Sequence, residues 1–166
     1  MTLILCINPK LMTKEQLQEW LAGANWHSPA EYTVARVAAE SLYATELAVE
    51  WIESQDELVA VSGWSTYANY VSIAPDESLD IEEIRAYLIR VRDIIHSERN
   101  WVRYVMNTFV ISVGVYVEAL TEEARSARCM WTSATRHAKC RLQRSTSARS
   151  RRGGASAARR LVSVNV

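Results

Sequence analysis

The sequence predicts an all-α fold, a short solenoid built from antiparallel pairs of helices. Apolar residues recur at helical spacing from Leu11 to about residue 124, and no stretch alternates like a strand with hairpin turns. Helix-capping patterns precede several of these apolar segments. With 166 residues, of which 49% are apolar, the chain has enough material to bury a core.

Two capping patterns mark the first two helices. Thr13 and Gln16 fit a capping box, in which each side chain accepts a hydrogen bond from a free amide of the first turn. Gly23 is expected to end this helix in the left-handed conformation that glycine tolerates. Ser28 and Glu31 predict a second capping box, at the start of a helix that runs to about residue 42.

Three further helices follow at regular intervals. They are predicted over about 45–54, 57–72 and 79–96, and Asp56 is expected to cap the second of them. Gly63 predicts a close crossing of two helices, because a missing side chain lets two backbones approach.

A long apolar helix is predicted from about residue 101 to 118. It is apolar over most of its circumference, so we expect it near the centre of the domain. Ser97 or Asn100 is expected to cap it. Three polar residues lie four apart along one of its edges: Arg99, Arg103 and Asn107. Such a donor-rich row suits phosphate contacts, and the alternative is a solvated stripe.

The helix pairs recur about every 40 residues, which is the period of HEAT-type repeats. Two blocks of sequence carry a resemblance to a known family. The first is Asn100-x-Val102-Arg103-x-x-Met106-Asn107 with Val110-Ile111-x-Val113-Gly114, and the second is Glu46-Leu47-Ala48, Trp51-Ile52-x-Ser54 and Gly63-Trp64. In this order and spacing they resemble the DNA alkylation repair family, HEAT-like repeat relatives of alkylpurine DNA glycosylases. The resemblance covers about residues 12–124.

The resemblance implies a protein that binds double-stranded DNA and excises alkylated bases without a metal or cofactor. In the family a carboxylate stabilises the sugar cation, an arginine holds phosphate and tryptophans contact the nucleotide. Trp26 matches a tryptophan position, and Glu31 is the candidate for the catalytic carboxylate, although its expected capping role competes. Residues 58–62, where the arginine belongs, contain no basic side chain. We therefore expect a truncated copy without activity, with Arg99, Arg103 and Asn107 as further DNA contacts.

Charge divides the chain into an acidic body and a basic tail. All 19 acidic residues lie in residues 1–123 beside 8 basic ones, a formal charge of −11, whereas residues 124–166 carry 11 basic residues and no acid. The acidic body favours an alternative function, a HEAT-like protein-interaction module without DNA chemistry. We assign residues 1–10 to a weakly specified start, 11–124 to the repeat domain and 125–166 to a flexible tail.

The tail has the character of a frame-shifted translation. Combining the last base of each codon with the first two of the next forces valine across Met130–Trp131 and aspartate across Trp131–Thr132. Synonymous codons then permit a string that resembles the C-terminal motif of the family. Any DNA binding by this tail would rest on charge alone.

A few residues bear on metal binding and on the cellular compartment. Cys129, His137 and Cys140 do not follow a common zinc spacing and lack a fourth ligand, so no metal site is expected. The run from Leu3 to Ile7 is too short to span a membrane and has no basic residue before it. Three cysteines form no disulfide framework, and we expect a cytoplasmic protein without membrane contact.

Overall fold

Six α-helices make up the computed structural model, which describes residues 8–127. They are α1 (Lys14–Ala22), α2 (Ala35–Ala39, preceded by the π-helical segment Pro29–Val34), α3 (Ala44–Ile52), α4 (Glu57–Ile73), α5 (Ile81–Ile94) and α6 (Asn100–Tyr116). Short 3-10 turns lie at Pro9–Leu11, Asp76–Ser78 and Glu118–Leu120, and the last leads into helical residues 121–127.

The predicted all-α class is confirmed, since no strand occurs anywhere in residues 8–127. The helices form three consecutive pairs: α1 with the helix that contains α2, α3 with α4, and α5 with α6. Residues 1–7 of the predicted segment 1–10 and most of the basic tail lie outside the described residues. So do all three cysteines and His137, and the assignment of 125–166 as a frame-shifted tail stays a prediction.

Local capping patterns fold largely as the sequence predicts. Thr13 Oγ1 accepts from the Gln16 amide at 3.4 Å, and Gln16 Oε1 accepts from the Thr13 amide at 3.1 Å, so the capping box is complete. Asp56 caps α4 by accepting from the Leu58 amide at 2.8 Å. The expectation for Gly23 was wrong. Its backbone, with a φ of −78°, lies in the right-handed helical region, and its amide donates to the carbonyls of Glu19 and Leu21 in the last turn of α1.

The central helix is α4, not α6 as its apolar circumference predicted. Ten of the 17 residues of α4 are buried, including every residue from Ala60 to Ala68, against six of 17 in α6. The reason is that α4 is small or apolar on all sides, so α2, α3, the π-helical segment and α6 all pack against it. Its contact with α6 is aromatic: the Phe109 ring lies 5.3 Å from Trp64 and 5.5 Å from Tyr67, centroid to centroid.

Gly63 is the point of closest approach between α3 and α4. A Cβ atom at this position would lie 2.6 Å from the backbone nitrogen of Ile52 and 2.8 Å from the carbonyl carbon of Trp51. Both neighbours are backbone atoms, which cannot rotate away as a side chain does. The close crossing predicted at Gly63 is therefore confirmed, with α3 as the partner helix.

Ion pairs join successive helix pairs across their surfaces. Lys14 of α1 contacts Glu46 at 2.6 Å and Glu50 at 2.8 Å, both on α3. Arg90 of α5 pairs with Glu53 at the end of α3, and this hydrogen bonding lowers the pKa of the Glu53 carboxyl. Exposed pairs of this kind contribute little individually, and these three connect neighbouring pairs of helices across the surface.

Within residues 8–127, no single helix is both long enough and apolar enough to cross a membrane. Two successive helical segments, Asn100–Tyr116 and Glu118–Ala127, are long and apolar enough only when they are taken together, and the chain bends by 115° between them.

Replacing Gly63 with alanine should destabilise the fold by about 1–3 kcal/mol, because the new methyl group overlaps the backbone of α3. The matched control is Gly23→Ala, whose Cβ would meet its nearest neighbours at 3.6 Å, an ordinary contact. That control should be neutral or slightly stabilising. Urea unfolding of both variants tests this, and equal midpoints would contradict the close α3–α4 packing.

Candidate nucleic-acid interface

Five side-chain rings gather where the second helices of the first and third pairs begin. We call them the aromatic face: Trp26, His27, Tyr32, Trp101 and Tyr104. Four of the rings are largely exposed, from 43% for Trp101 to 63% for Trp26. The fifth, His27, is half-buried. An exposed cluster of this size marks an interaction surface more often than a chance arrangement.

Three of these rings form a column. The His27 ring lies 3.6 Å from the Trp101 ring, centroid to centroid, with 22° between the planes. The His27 ring also lies 5.1 Å from the Trp26 ring, centroid to centroid, with 30° between the planes. Tyr104 meets Trp101 at an 80° angle and 6.3 Å, so it packs edge to face beside the column. The column links the first helix pair to the third across the start of α4.

The start of α6 is held by residues of the second helix pair. The Glu57 carboxylate accepts from the Trp101 amide at 3.3 Å, and Arg99 Nη1 donates to the Gln55 carbonyl at 2.6 Å. The expected caps were wrong, because Arg99 occupies the N-cap position without a side-chain bond and the Ser97 hydroxyl donates to the Ile94 carbonyl. Glu57 of α4 thus supplies the cap that α6 lacks and fixes the backbone that carries Trp101.

The expected capping box at Ser28 and Glu31 does not form. The helix already begins at His27, so Ser28 has helical dihedrals of −65° and −46° and makes no capping bond. An N-cap requires an extended backbone, which places the serine oxygen over the free amides. Glu31 instead lies inside the π-helical segment and is only 4% exposed.

The π-helical segment is tied to α4 and faces the aromatic residues. Its Ala30 carbonyl accepts from the Ala35 amide, in the wider π pattern, and from the Ser62 hydroxyl at 3.2 Å. Hydrogen-bonding contacts with Tyr104, and then with the Glu31 carboxylate, raise the pKa of the Tyr32 phenol. The Tyr32 phenol thereby lies between the Glu31 carboxylate and Tyr104. Segments of π-helix occur often at functional sites.

Arg99, Arg103 and Asn107 follow the edge of α6 that turns away from Trp101. The structure therefore does not bring this row together with Trp26 and Glu31. Arg99 is occupied by the Gln55 carbonyl, and Asn107 is half-buried. The Nε atom of Arg103 is buried and has no hydrogen-bond partner within residues 8–127.

Most cations of the described part are neutralised by neighbours. Residues 8–127 contain 19 acidic and 9 basic side chains. Six of the basic ones form ion pairs: Lys14, Arg36, Arg85, Arg90, Arg92 and Arg125. With Arg99 on a carbonyl, Lys10 and Arg103 are the two cations that have no such partner among the described residues. Of the two, only Arg103 belongs to α6, and its side chain lies on the edge that turns away from Trp101.

A cavity of about 390 Å³ lies behind the start of α6, between the second and third helix pairs. Its floor includes Trp64 and Met106, and its rim carries the Arg90–Glu53 pair, Glu98 and the tethered Arg99. Since both guanidinium groups are engaged and two carboxylates face them, the cavity has no net charge that selects an anion or a cation.

The segment that should carry the phosphate-binding arginine is largely inaccessible. Val61 and Ser62 are fully buried, and Leu58 and Val59 are half-buried. A guanidinium at position 61 would enter the core, so this position does not correspond to a solvent-facing arginine site. Within residues 8–127, no group of three or more His, Cys, Asp or Glu side chains is placed to hold a metal ion.

Sequence reasoning missed five residues of this interface: His27, Tyr32, Glu57, Trp101 and Tyr104. The aromatic signal was present, since Trp26-His27 and Trp101 each sit at the start of a predicted helix. What the sequence lacked was any sign that the two starts meet. The Glu57 contact joins residues 44 apart and has no local pattern.

No family model matches this chain, but comparison with individual proteins finds relatives. A solved structure, described as a new family of proteins related to the HEAT-like repeat DNA glycosylases with affinity for branched DNA structures, superposes with a TM-score of 0.72. It is 30% identical, and the match covers 75% of this chain and 53% of that one.

Two curated proteins of Listeria show the same extent of similarity. An uncharacterized protein of Listeria innocua is 32% identical over 125 residues, and one of Listeria monocytogenes is 31% identical over 125 residues. The chain spans about half the length of these relatives, 53%, and the match takes up 75% of its own residues. In fold and in sequence, this chain is similar to a protein of a family related to the HEAT-like repeat DNA glycosylases, which confirms the predicted HEAT-like fold.

Proposed function

We propose that this chain is a DNA-binding helical-repeat module that recognises branched DNA and does not excise bases. The observation that carries the proposal is the likeness, at 30% identity and a TM-score of 0.72, to a protein with affinity for branched DNA. The exposed aromatic face supports it from the chain's own residues, because flat rings suit the bases that become accessible where duplexes separate.

The charge of the body argues for branched rather than regular DNA. A surface with 19 acids and 9 bases repels a continuous phosphate backbone, so duplex DNA gains little from it. Contacts with bases escape this repulsion, and a branch point is where bases and helix ends are accessible. Arg103 would then supply a local phosphate contact.

Two features support the absence of base excision. Glu31, the candidate carboxylate, is 4% exposed and contacts the Tyr32 phenol, so little of it could reach a sugar. The segment 58–62 contains no arginine, and its positions 61 and 62 are fully buried. Transition-state stabilisation by a carboxylate requires that it approach the developing charge directly.

The second candidate function, a protein-interaction module, is favoured by the same excess of acidic side chains. It differs in one measurable respect. A module without DNA recognition would bind DNA only through the basic residues of 125–166, whose phosphate contacts do not distinguish branched from regular DNA.

The full chain should bind a four-way DNA junction about tenfold more tightly than a duplex of equal length and charge. Arg103→Ala should weaken junction binding and reduce the slope of log affinity against log salt by about 1, since one phosphate contact is lost. Arg36→Ala is the matched control, because Arg36 is already paired with Glu40 on an outer surface. Fluorescence anisotropy titrations measure both, and equal affinity for junction and duplex would favour the protein-interaction module.

Incubation with alkylated duplex DNA should release neither 3-methyladenine nor 7-methylguanine above the rate without protein. The physical reason is the buried position of Glu31 together with the missing arginine. Chromatography of the freed bases measures this. Release by the wild-type chain that disappears in Glu31→Gln would show instead that Glu31 is catalytic.

A further inference from the structure

The outer side of α6 carries a row of uncharged side chains with the spacing of a coiled-coil seam. We call them the α6 seam: Trp101, Tyr104, Thr108, Ile111 and Val115, at successive intervals of 3, 4, 3 and 4 residues. Residues at these intervals share one face of a helix and pack well against a second helix. Because α4 packs against the opposite side of α6, the seam stays at the surface.

The polar residue in the middle of the seam already has a hydrogen bond. Thr108 Oγ1 donates to the Tyr104 carbonyl at 3.3 Å, one turn earlier in the same helix. A second helix can therefore cover Thr108 without leaving its hydroxyl group unsatisfied. The seam offers continuous contact over about 21 Å, the rise from residue 101 to residue 115.

Charge favours α6 as the contact between two copies of this chain. Residues 8–127 carry 19 acidic and 9 basic side chains, so two copies repel each other over most of their surfaces. Among the described helices of nine or more residues, α6 alone has no acidic side chain. Its one charged residue, Arg103, lies outside the seam. Two copies that meet along the seam thus avoid placing like charges opposite each other.

The sizes of the side chains favour an antiparallel arrangement. The first half of the seam carries the large rings of Trp101 and Tyr104, whereas its last residue is Val115, flanked by the small residues Ser112 and Gly114. A two-fold axis near the middle of the seam places the rings of each copy on the small residues of the other. A parallel arrangement would place ring against ring, and complementary volumes pack with fewer voids and less strain.

The exposed area fits a reversible contact. Trp101, Tyr104 and Val115 are 43%, 49% and 67% exposed. With full surfaces of roughly 150–250 Å² for each side chain, the seam contributes about 400 Å² from each copy. An apolar patch of this size commonly marks an interaction surface. The total of roughly 800 Å² lies at the low end for specific interfaces, which corresponds to a weak dimer.

We propose that two copies of this chain associate along the α6 seam as an antiparallel pair, with a two-fold axis near Thr108. The inference goes beyond DNA recognition and does not rest on it. Trp101 and Tyr104 also belong to the aromatic face, so the second copy covers part of that face in the dimer.

Sedimentation equilibrium of the full chain without DNA tests the association. The weight-average mass should rise from one chain toward two, with a dissociation constant on the order of 100 μM. Val115→Glu, which places one carboxylate of each copy in the contact, should weaken association at least tenfold. The matched control is Ile89→Glu, since Ile89 is a 45% exposed residue of α5 outside the seam, and this variant should associate like the wild type.

A mass that stays at one chain up to about 1 mM would overturn the inference, since the wild type should then be mostly dimeric. So would association that persists in Val115→Glu, or that Ile89→Glu abolishes equally. Raising the salt concentration to about 0.5 M distinguishes the seam from attraction between the basic residues of 128–166 and the acidic body, because only the latter is screened. Dimers that dissociate at this salt concentration would contradict an apolar contact.

Crosslinking tests the antiparallel orientation. A short bismaleimide reagent should join two copies of Thr108→Cys to each other at the substituted position, because that position lies at the two-fold axis. Two copies of Val115→Cys should not be joined there, because these positions are about 21 Å apart along the helices. Mass spectrometry of the digested product separates these links from those at the native cysteines, and equal self-crosslinking of both variants would reject the antiparallel pair.

Discussion

The contact of α3 with α4 at Gly63 is the constraint on which the rest of the structure depends. Because Gly63 has no side chain, the backbone of α3 at Trp51 and Ile52 lies directly against α4. This close approach leaves the other sides of α4 for α2 and α6, and α4 is buried from Ala60 to Ala68 as a result. A helix covered on all sides must be small or apolar all round, as α4 is.

The aromatic face follows from this arrangement. With α4 at the centre, the first and third pairs lie on either side of it, and their second helices meet across its start. His27 then stacks on Trp101, and Tyr32 reaches Tyr104. The tethers from Glu57 and Gln55 hold the start of α6 in the position that these contacts require. The interface is thus a product of tertiary packing and not of any single helix.

Electrostatics and burial together separate binding from catalysis in this molecule. The body holds most of its cations in ion pairs, so it offers a polyphosphate backbone few contacts. Glu31 is shielded by the π-helical segment and by Tyr32. What remains accessible is a set of flat rings, a surface whose chemistry suits bases more than phosphates.

The sequence by itself determined the features that depend on near neighbours. The Thr13–Gln16 capping box, the Asp56 cap, the all-α class and the family resemblance were all readable, because helix caps and apolar spacing involve residues a few positions apart. Gly63 was readable as a close approach, although its partner helix was not. Trp26 and Arg103 were named as candidate contacts on the basis of the resemblance and of spacing.

Only the tertiary structure decided how these pieces meet. The helix after Trp26 begins at His27, one residue before the expected cap, and that shift places Glu31 in a buried π-helical segment. The Glu57–Trp101 bond and the His27–Trp101 stack join residues on different helix pairs. Contacts between distant residues leave no periodic trace in a single sequence, since each side chain satisfies its local pattern equally well with another partner. The central place of α4 over α6 was decided in the same way, by which apolar helix had neighbours on every side.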